Sequence, residues 1–319
     1  MSQSKKRIHH FVAQHYLRRF CDVDGQIYVL DKFKFKSGEK GNPFQTNPRN
    51  AACERDFNML PEALGDVTVK PEGLEDFYST IESDVDPEIG SVIKRAMLYV
   101  DRPMPYGGKL FLDLERAKIA YYIALQFTRT KEFRSIFEQM TEGLKEGLRE
   151  KGEHIPIEKL DEFFSGAEPS AVQQVRMLAN PEHMQKMVNL LSSHVWFIGY
   201  IPESLALYTS DHPVAISSHE NHPGRGVGLG SYGVEIAFPL SSRFVLMMYD
   251  RGMFGNAFEG RENMVVRLTS ENVVYVNAKQ VQRSYRQIFC SVDDFSLARN
   301  ICKKNPDVCD PNRKRVSLN

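Results

Sequence analysis

The chain has 319 residues, 42% of them apolar and 26% charged, which is enough for a sizeable core and argues against disorder. Lysine plus arginine equals aspartate plus glutamate at 41 each, so the whole chain carries no field that would draw in a long nucleic-acid duplex or a membrane surface. Five cysteines with no close pairs argue against a disulfide framework and against a structural zinc site.

The residues after Met1 are polar and basic and lack the apolar core of a secretory signal. The longest apolar runs, such as Phe244 to Tyr249, are far too short to span a bilayer. A cytoplasmic protein is therefore expected. The basic clusters Lys5-Lys6-Arg7 and Arg313-Lys314-Arg315 read as solvated termini.

Along the chain, Val12, Tyr16, Leu17 and Phe20 share one face and predict a helix over Phe11 to Cys21. A turn at Asp22 to Gly25 precedes a short strand at Ile27 to Leu30. Alternating Lys and Phe over Lys32 to Lys36 predicts a half-exposed strand, and Gly38 to Pro48 a loop. Leu74 to Tyr99 has helical spacing, with Pro87 as the expected break. Leu112 to Met140 carries the longest apolar stripe and predicts one long helix, followed by a charged, exposed stretch over Glu142 to His154.

Further helices are expected at Ile157 to Phe164, Ser170 to Leu178 and Pro181 to Ser193. Five short β-rich runs then follow between turns: Val195–Tyr200, Leu205–Tyr208, Val214–Ser217, Val234–Phe238 and Phe244–Tyr249. Gly224 to Gly230 reads as a loop. Ser270 is the expected N-cap of a helix reaching Ile288, and a shorter helix covers Phe295 to Cys302. Strands and helices are segregated, which predicts an α+β fold: long helices on a mainly antiparallel sheet built largely from the C-terminal half. The expected organisation is a single domain over 1–305, with an insertion-like helical middle at about 74–193 and a flexible tail over 306–319.

Four groups of residues could carry chemistry. His9 and His10 precede the first predicted helix, with His10 and Gln14 four apart. Imidazoles there could transfer protons, bind a metal or grip a phosphate; equally, one caps the helix and the other packs in the core. Ser210-Asp211-His212-Pro213 lies between predicted strands. Asp211 could orient an imidazole as its catalytic partner, or simply close an Asx turn. Gln126 and Arg129 sit three apart beside the stripe, where an arginine needs a carboxylate or a phosphate. Glu75 and Glu82, seven apart with Tyr78 between, share a helical face and could join His10 and Asp211 around a divalent metal, although such carboxylates are usually a solvated face.

The segment His-His-Phe-Val-Ala-Gln-His-Tyr-Leu-Arg-Arg-Phe, residues 9 to 20, resembles the opening of a bacterial family of proteins of unknown function, DUF4238. That opening is a paired His, a spacer and Tyr-Leu-x-x-Phe. The usual proline after the pair is replaced here by Ala13. Downstream echoes are Gln126 with Arg129-Thr130, Thr209 to Pro213, and Phe238 to Ser241, so the likeness runs over most of the chain. The resemblance implies no established reaction. A bacterial nuclease or effector acting in phage defence fits the style of the family.

Three readings stand. The first is a hydrolase acting on a phosphate-containing substrate, with His9, His10 and Asp211 catalytic and Gln14, Tyr16, Arg19, Gln126, Arg129, Ser210 and His212 holding the substrate. The second is a module that binds a nucleotide or RNA without turning it over. The third is a structural network that pins the first helix to the sheet. No Walker loop, GxGxxG, GxSxG, His-Glu-x-x-His or CxxC motif is present, and the residues name no cofactor, though they could hold a divalent metal.

Overall fold

The computed structural model describes residues 8–36, 41–59, 63–64, 67–68, 73–105, 108–151, 170–202, 204–220 and 227–315. The expected helix at 157–164 and part of the glycine-rich loop lie outside these residues, as do Lys5-Lys6-Arg7.

In chain order the elements are β1 (Ile8–His10), α1 (Gln14–Leu17, continued by a 3-10 turn at Arg18–Phe20), β2 (Ile27–Asp31), α2 (Phe33–Lys36), β3 (Phe44–Thr46) and β4 (Cys53–Arg55). A small pair β5 (Ala63–Leu64) and β6 (Val67–Thr68) precedes the helices α3 (Gly73–Leu98), α4 (Asp113–Thr128), α5 (Lys131–Lys151), α6 (Ser170–Ala179) and α7 (Pro181–Ser193). Then come β7 (Val195–Tyr200), β8 (Thr209–Ser210), β9 (Ala215–Ser218), β10 (Val234–Pro239), β11 (Phe244–Tyr249), α8 (Arg251–Phe254), β12 (Val265–Arg267), α9 (Ser270–Arg283), β13 (Gln287–Cys290) and α10 (Ser296–Lys304). The fold is α+β.

The main sheet has the order β12-β7-β11-β10-β9 and is antiparallel except for the β12–β7 pair. Its two faces are both covered, and strict alternation sorts the side chains between them. Trp196, Ile198, Ile236, Phe238, Leu246 and Met248 point to the large core beneath α1, α3, α4 and α7. Phe197, Ala237, Val245 and Met247 point to a smaller core closed by Val273 and Val276 of α9. A second sheet, β3-β2-β13-β8, joins the N-terminal strands to the C-terminal part of the chain. Among the described residues no helix is long and apolar enough to cross a membrane.

Several elements differ from the sequence expectation for local reasons. Pro87 does not break α3, because both Pro87 and Ser83 lie on its exposed face, where water can take the carbonyl left without a donor. The expected 112–140 helix is two helices. Arg129 ends α4, and the Thr130 hydroxyl caps α5 by accepting the Phe133 N–H at 3.4 Å. Lys32 to Lys36 is a helical turn rather than a strand: Asp31 accepts the Phe33 N–H at 3.1 Å and Lys32 points inward. Thr269, not Ser270, caps α9 in a box with Asn272. That helix stops at Arg283 so that Gln287–Cys290 can pair with β2 and β8. Residues 205–208 form no strand; pairing starts at Thr209. The segment 306–315, read from composition as a tail, begins with a 3-10 turn at Pro306–Cys309, and Arg313 and Arg315 both bond Glu132.

Candidate functional site

The histidine pair lies in β1 rather than at a helix start, paired antiparallel to β4 with His9 opposite Glu54 and His10 opposite Cys53. His9 is buried and its Nδ1 accepts the Asn58 N–H at 2.9 Å. The His10 ring donates from Nε2 to the Arg49 carbonyl at 3.0 Å, and Gln14 reaches its Nδ1 at 3.5 Å. Burial lowers the His10 pKa, so the ring stays neutral near pH 7. Gln126 and Arg129, at the end of α4, hold the backbone that leaves β1: Gln126 donates to the Phe11 carbonyl at 2.8 Å and Arg129 to the His10 carbonyl at 2.5 Å. Tyr16 is buried against Phe238, and its hydroxyl donates to the Pro239 carbonyl at 2.7 Å, with Thr209 Oγ1 also 2.7 Å away.

Asp211 does not orient an imidazole. It is buried, and its two oxygens accept the backbone N–H groups of Tyr285, Arg286 and Gln287, each at 2.8 Å. Burial raises its pKa to about 6, against the pull of those amides and of Lys32. Ser210 donates to Gln280 at 2.8 Å. His212 shares a 2.6 Å hydrogen bond with Thr130, and burial with the surrounding cations drives its pKa to about 3. These signature residues thus close the turn before β13 and pin it to the α4–α5 junction.

The metal candidates do not assemble. Glu75 accepts from Asn58, Glu82 pairs with Arg129, and Asp211 is filled by amides. Among the described residues no group of three His, Cys, Asp or Glu side chains is placed to hold a metal ion.

Open chemistry lies next to the pins, where α1 and its 3-10 turn meet α3 and α4. Arg129 is buried at 2% exposure, pairs with Glu82 and lies 4.2 Å over the Tyr78 ring. Burial opposes the Glu82 charge, but Arg129 and His15 outweigh it and hold its pKa at about 2. His15 stands between two carboxylates one helical turn apart, with Nδ1 3.7 Å from Glu82 and Nε2 3.7 Å from Asp86. Arg19 donates to the Asp86 carboxylate and, at 3.1 Å, to its carbonyl. Five buried polar atoms of this cluster find no hydrogen-bond partner among the described residues: Arg129 Nε, Arg19 Nη1, His15 Nε2 and the hydroxyls of Tyr78 and Tyr122. Burial raises both phenol pKa values, so the hydroxyls remain donors.

Of the residues proposed from sequence, His10, Gln14, Arg19, Glu82 and Arg129 border this cluster; Asp211, Ser210 and His212 face the other side of the α4–α5 junction. His15, Asp86, Tyr78 and Tyr122 were not singled out for a role. Two spacings carried the signal: His15 with Arg19, and Glu82 with Asp86, each four apart on a helical turn.

No curated protein and no solved structure matches the chain. The family described as protein of unknown function, DUF4238, matches residues 8–294. That span covers most of the sequence and includes both the pins and the open cluster, and the chain belongs to the DUF4238 family.

Proposed function

We propose that the α1–α3–α4 cluster recognises a phosphate-bearing ligand, a nucleotide or an RNA end. The observation that carries this reading is the set of five buried polar atoms without a hydrogen-bond partner among the described residues, three of them on Arg19, Arg129 and His15. Buried polar groups are costly unless bonded, and guanidinium and imidazole donors suit phosphate oxygens. Glu82 neutralises the inner arginine. Asp86, with 42% of its side chain exposed, is the carboxylate that a phosphate would displace from Arg19.

Hydrolysis of that ligand is a second reading, favoured by one observation. His15, flanked by Glu82 and Asp86, has the oriented imidazole that a general base needs, and such contacts are often long before substrate binds. On this reading the catalytic imidazole is His15, not His9 or His10. We place the protein in a bacterial cytoplasm, where its five free thiols fit a reducing compartment. A part in phage defence rests on the style of the family.

The test is calorimetric titration of the full chain with ATP, GMP and a short 5′-phosphorylated RNA, beside Arg19→Ala and His15→Ala, with circular dichroism to verify folding. Arg19→Ala should weaken binding about ten-fold, the loss of a charge-assisted contact. Release of inorganic phosphate that His15→Ala abolishes would establish the hydrolytic reading. A wild-type chain that binds none of the three, or an Arg19→Ala variant that binds equally well, removes the proposal.

A further inference from the structure

Buried charge is out of balance on the other side of the α4–α5 junction. Glu132, in the first turn of α5, is bridged by Arg313 at 2.7 Å and Arg315 at 3.0 Å. Lys32 is wholly buried and donates to the carbonyls of Val281 at 3.1 Å and Ser284 at 2.7 Å. Arg313 donates to the same Ser284 carbonyl at 2.7 Å. Arg283, the last residue of α9, is exposed, and its charge faces Glu132 and Arg313. Among the described residues it forms no ion pair.

Among the described residues the carboxylates that face these groups are Glu132 and Asp211. The nearby Glu54 and Asp31 are taken by Lys131 and Arg286. Four cationic side chains therefore meet two carboxylates. Burial, with Arg313 beside it, lowers the Lys32 pKa to about 7; with Lys32 neutral the one positive charge in excess is that of the exposed Arg283. The Arg315 side chain is 3% exposed, yet its Nη2 finds no hydrogen-bond partner among the described residues. A buried guanidinium donor left unused is costly unless an acceptor such as an anion completes it.

We propose that this cluster is an anion site that takes a phosphate group between the exposed Arg283 and the unused Nη2 of the buried Arg315. Guanidinium groups present the donors that phosphate oxygens need, and the exposed Arg283 gives the ligand its entry. The site shares the α4–α5 junction with the cluster around Arg129 but none of its charged side chains, so it does not rest on the reading given above.

The test is thermal unfolding and calorimetry of the full chain with inorganic phosphate, in chloride buffer at constant ionic strength. Wild type, Arg283→Gln, Arg315→Gln, Arg19→Ala and the double variant of Arg19→Ala with Arg283→Gln are compared. Phosphate should raise the wild-type melting temperature in proportion to dose, and Arg283→Gln should weaken binding at this site about ten-fold both alone and combined with Arg19→Ala, which removes phosphate held by the other cluster. Arg283 is exposed, so its variant keeps the fold even where Arg315→Gln does not. An equal phosphate response in wild type and Arg283→Gln overturns the proposal, as does no response in wild type. A response lost in Arg19→Ala and kept in Arg283→Gln assigns phosphate to the other cluster and ends this proposal alone.

Discussion

Replacing Asp211 by alanine removes the buried acceptor for three part-buried backbone N–H groups at once, those of Tyr285, Arg286 and Gln287. Each orphaned donor costs about 1–3 kcal/mol, and partial relaxation brings the total to roughly 3–6 kcal/mol. That is a large part of the ~5–15 kcal/mol that holds a typical domain folded. With a urea slope of about 3 kcal/mol/M, the unfolding midpoint should fall on the order of 1–2 M. Asp211→Asn is the informative companion. Its single carbonyl oxygen can still accept the two amides that bond Oδ2, and it sheds a charge whose burial is unfavourable, so its cost should be about 1–2 kcal/mol. Urea titration followed by circular dichroism ranks the three proteins. If Asp211 were a catalytic partner of a histidine, alanine would abolish activity and leave the midpoint unchanged; an unchanged midpoint would refute the structural role.

Two further outcomes follow from the same geometry. Glu82 has a depressed pKa, so its ionisation contributes stability that is present above about pH 4.5 and is lost as pH falls towards about 2. Wild type should lose more stability than Glu82→Gln between about pH 6 and pH 3, and parallel losses in urea midpoint would contradict the pairing with Arg129. Tyr16→Phe keeps the stack on Phe238 but leaves the Pro239 carbonyl without the hydroxyl, a cost of about 1–2 kcal/mol by chemical denaturation; equal stability would mean the bond contributes nothing.

The strands β7, β10 and β11 were legible because each is a short run of β-branched and aromatic residues between turns, and α7 because Pro181 opens it behind Asn180, whose side chain caps it. Residues 32–36 misled, since alternation says only that successive side chains differ. Here the Asp31 carboxylate captured the Phe33 amide and turned the chain. The signature segments marked positions of consequence without revealing their roles. His9, His10, Gln126 and Asp211 are all bonded to main-chain groups, and no spacing rule distinguishes a histidine that accepts a backbone N–H from one that takes a substrate proton.

Periodicity and composition determine the α+β class, most of the helices and four of the five strands of the main sheet, and the signature segments point to the family, because these are properties of neighbours along the chain. Tertiary structure alone decides where α9 stops, because the amides that follow it are taken by Asp211, more than seventy positions earlier. It alone decides that His15 rather than His10 faces unpaired donors, and that four cations gather around Glu132 and Asp211. Hydrogen bonds and charge act through space, and residues remote in sequence meet only once the cores have closed.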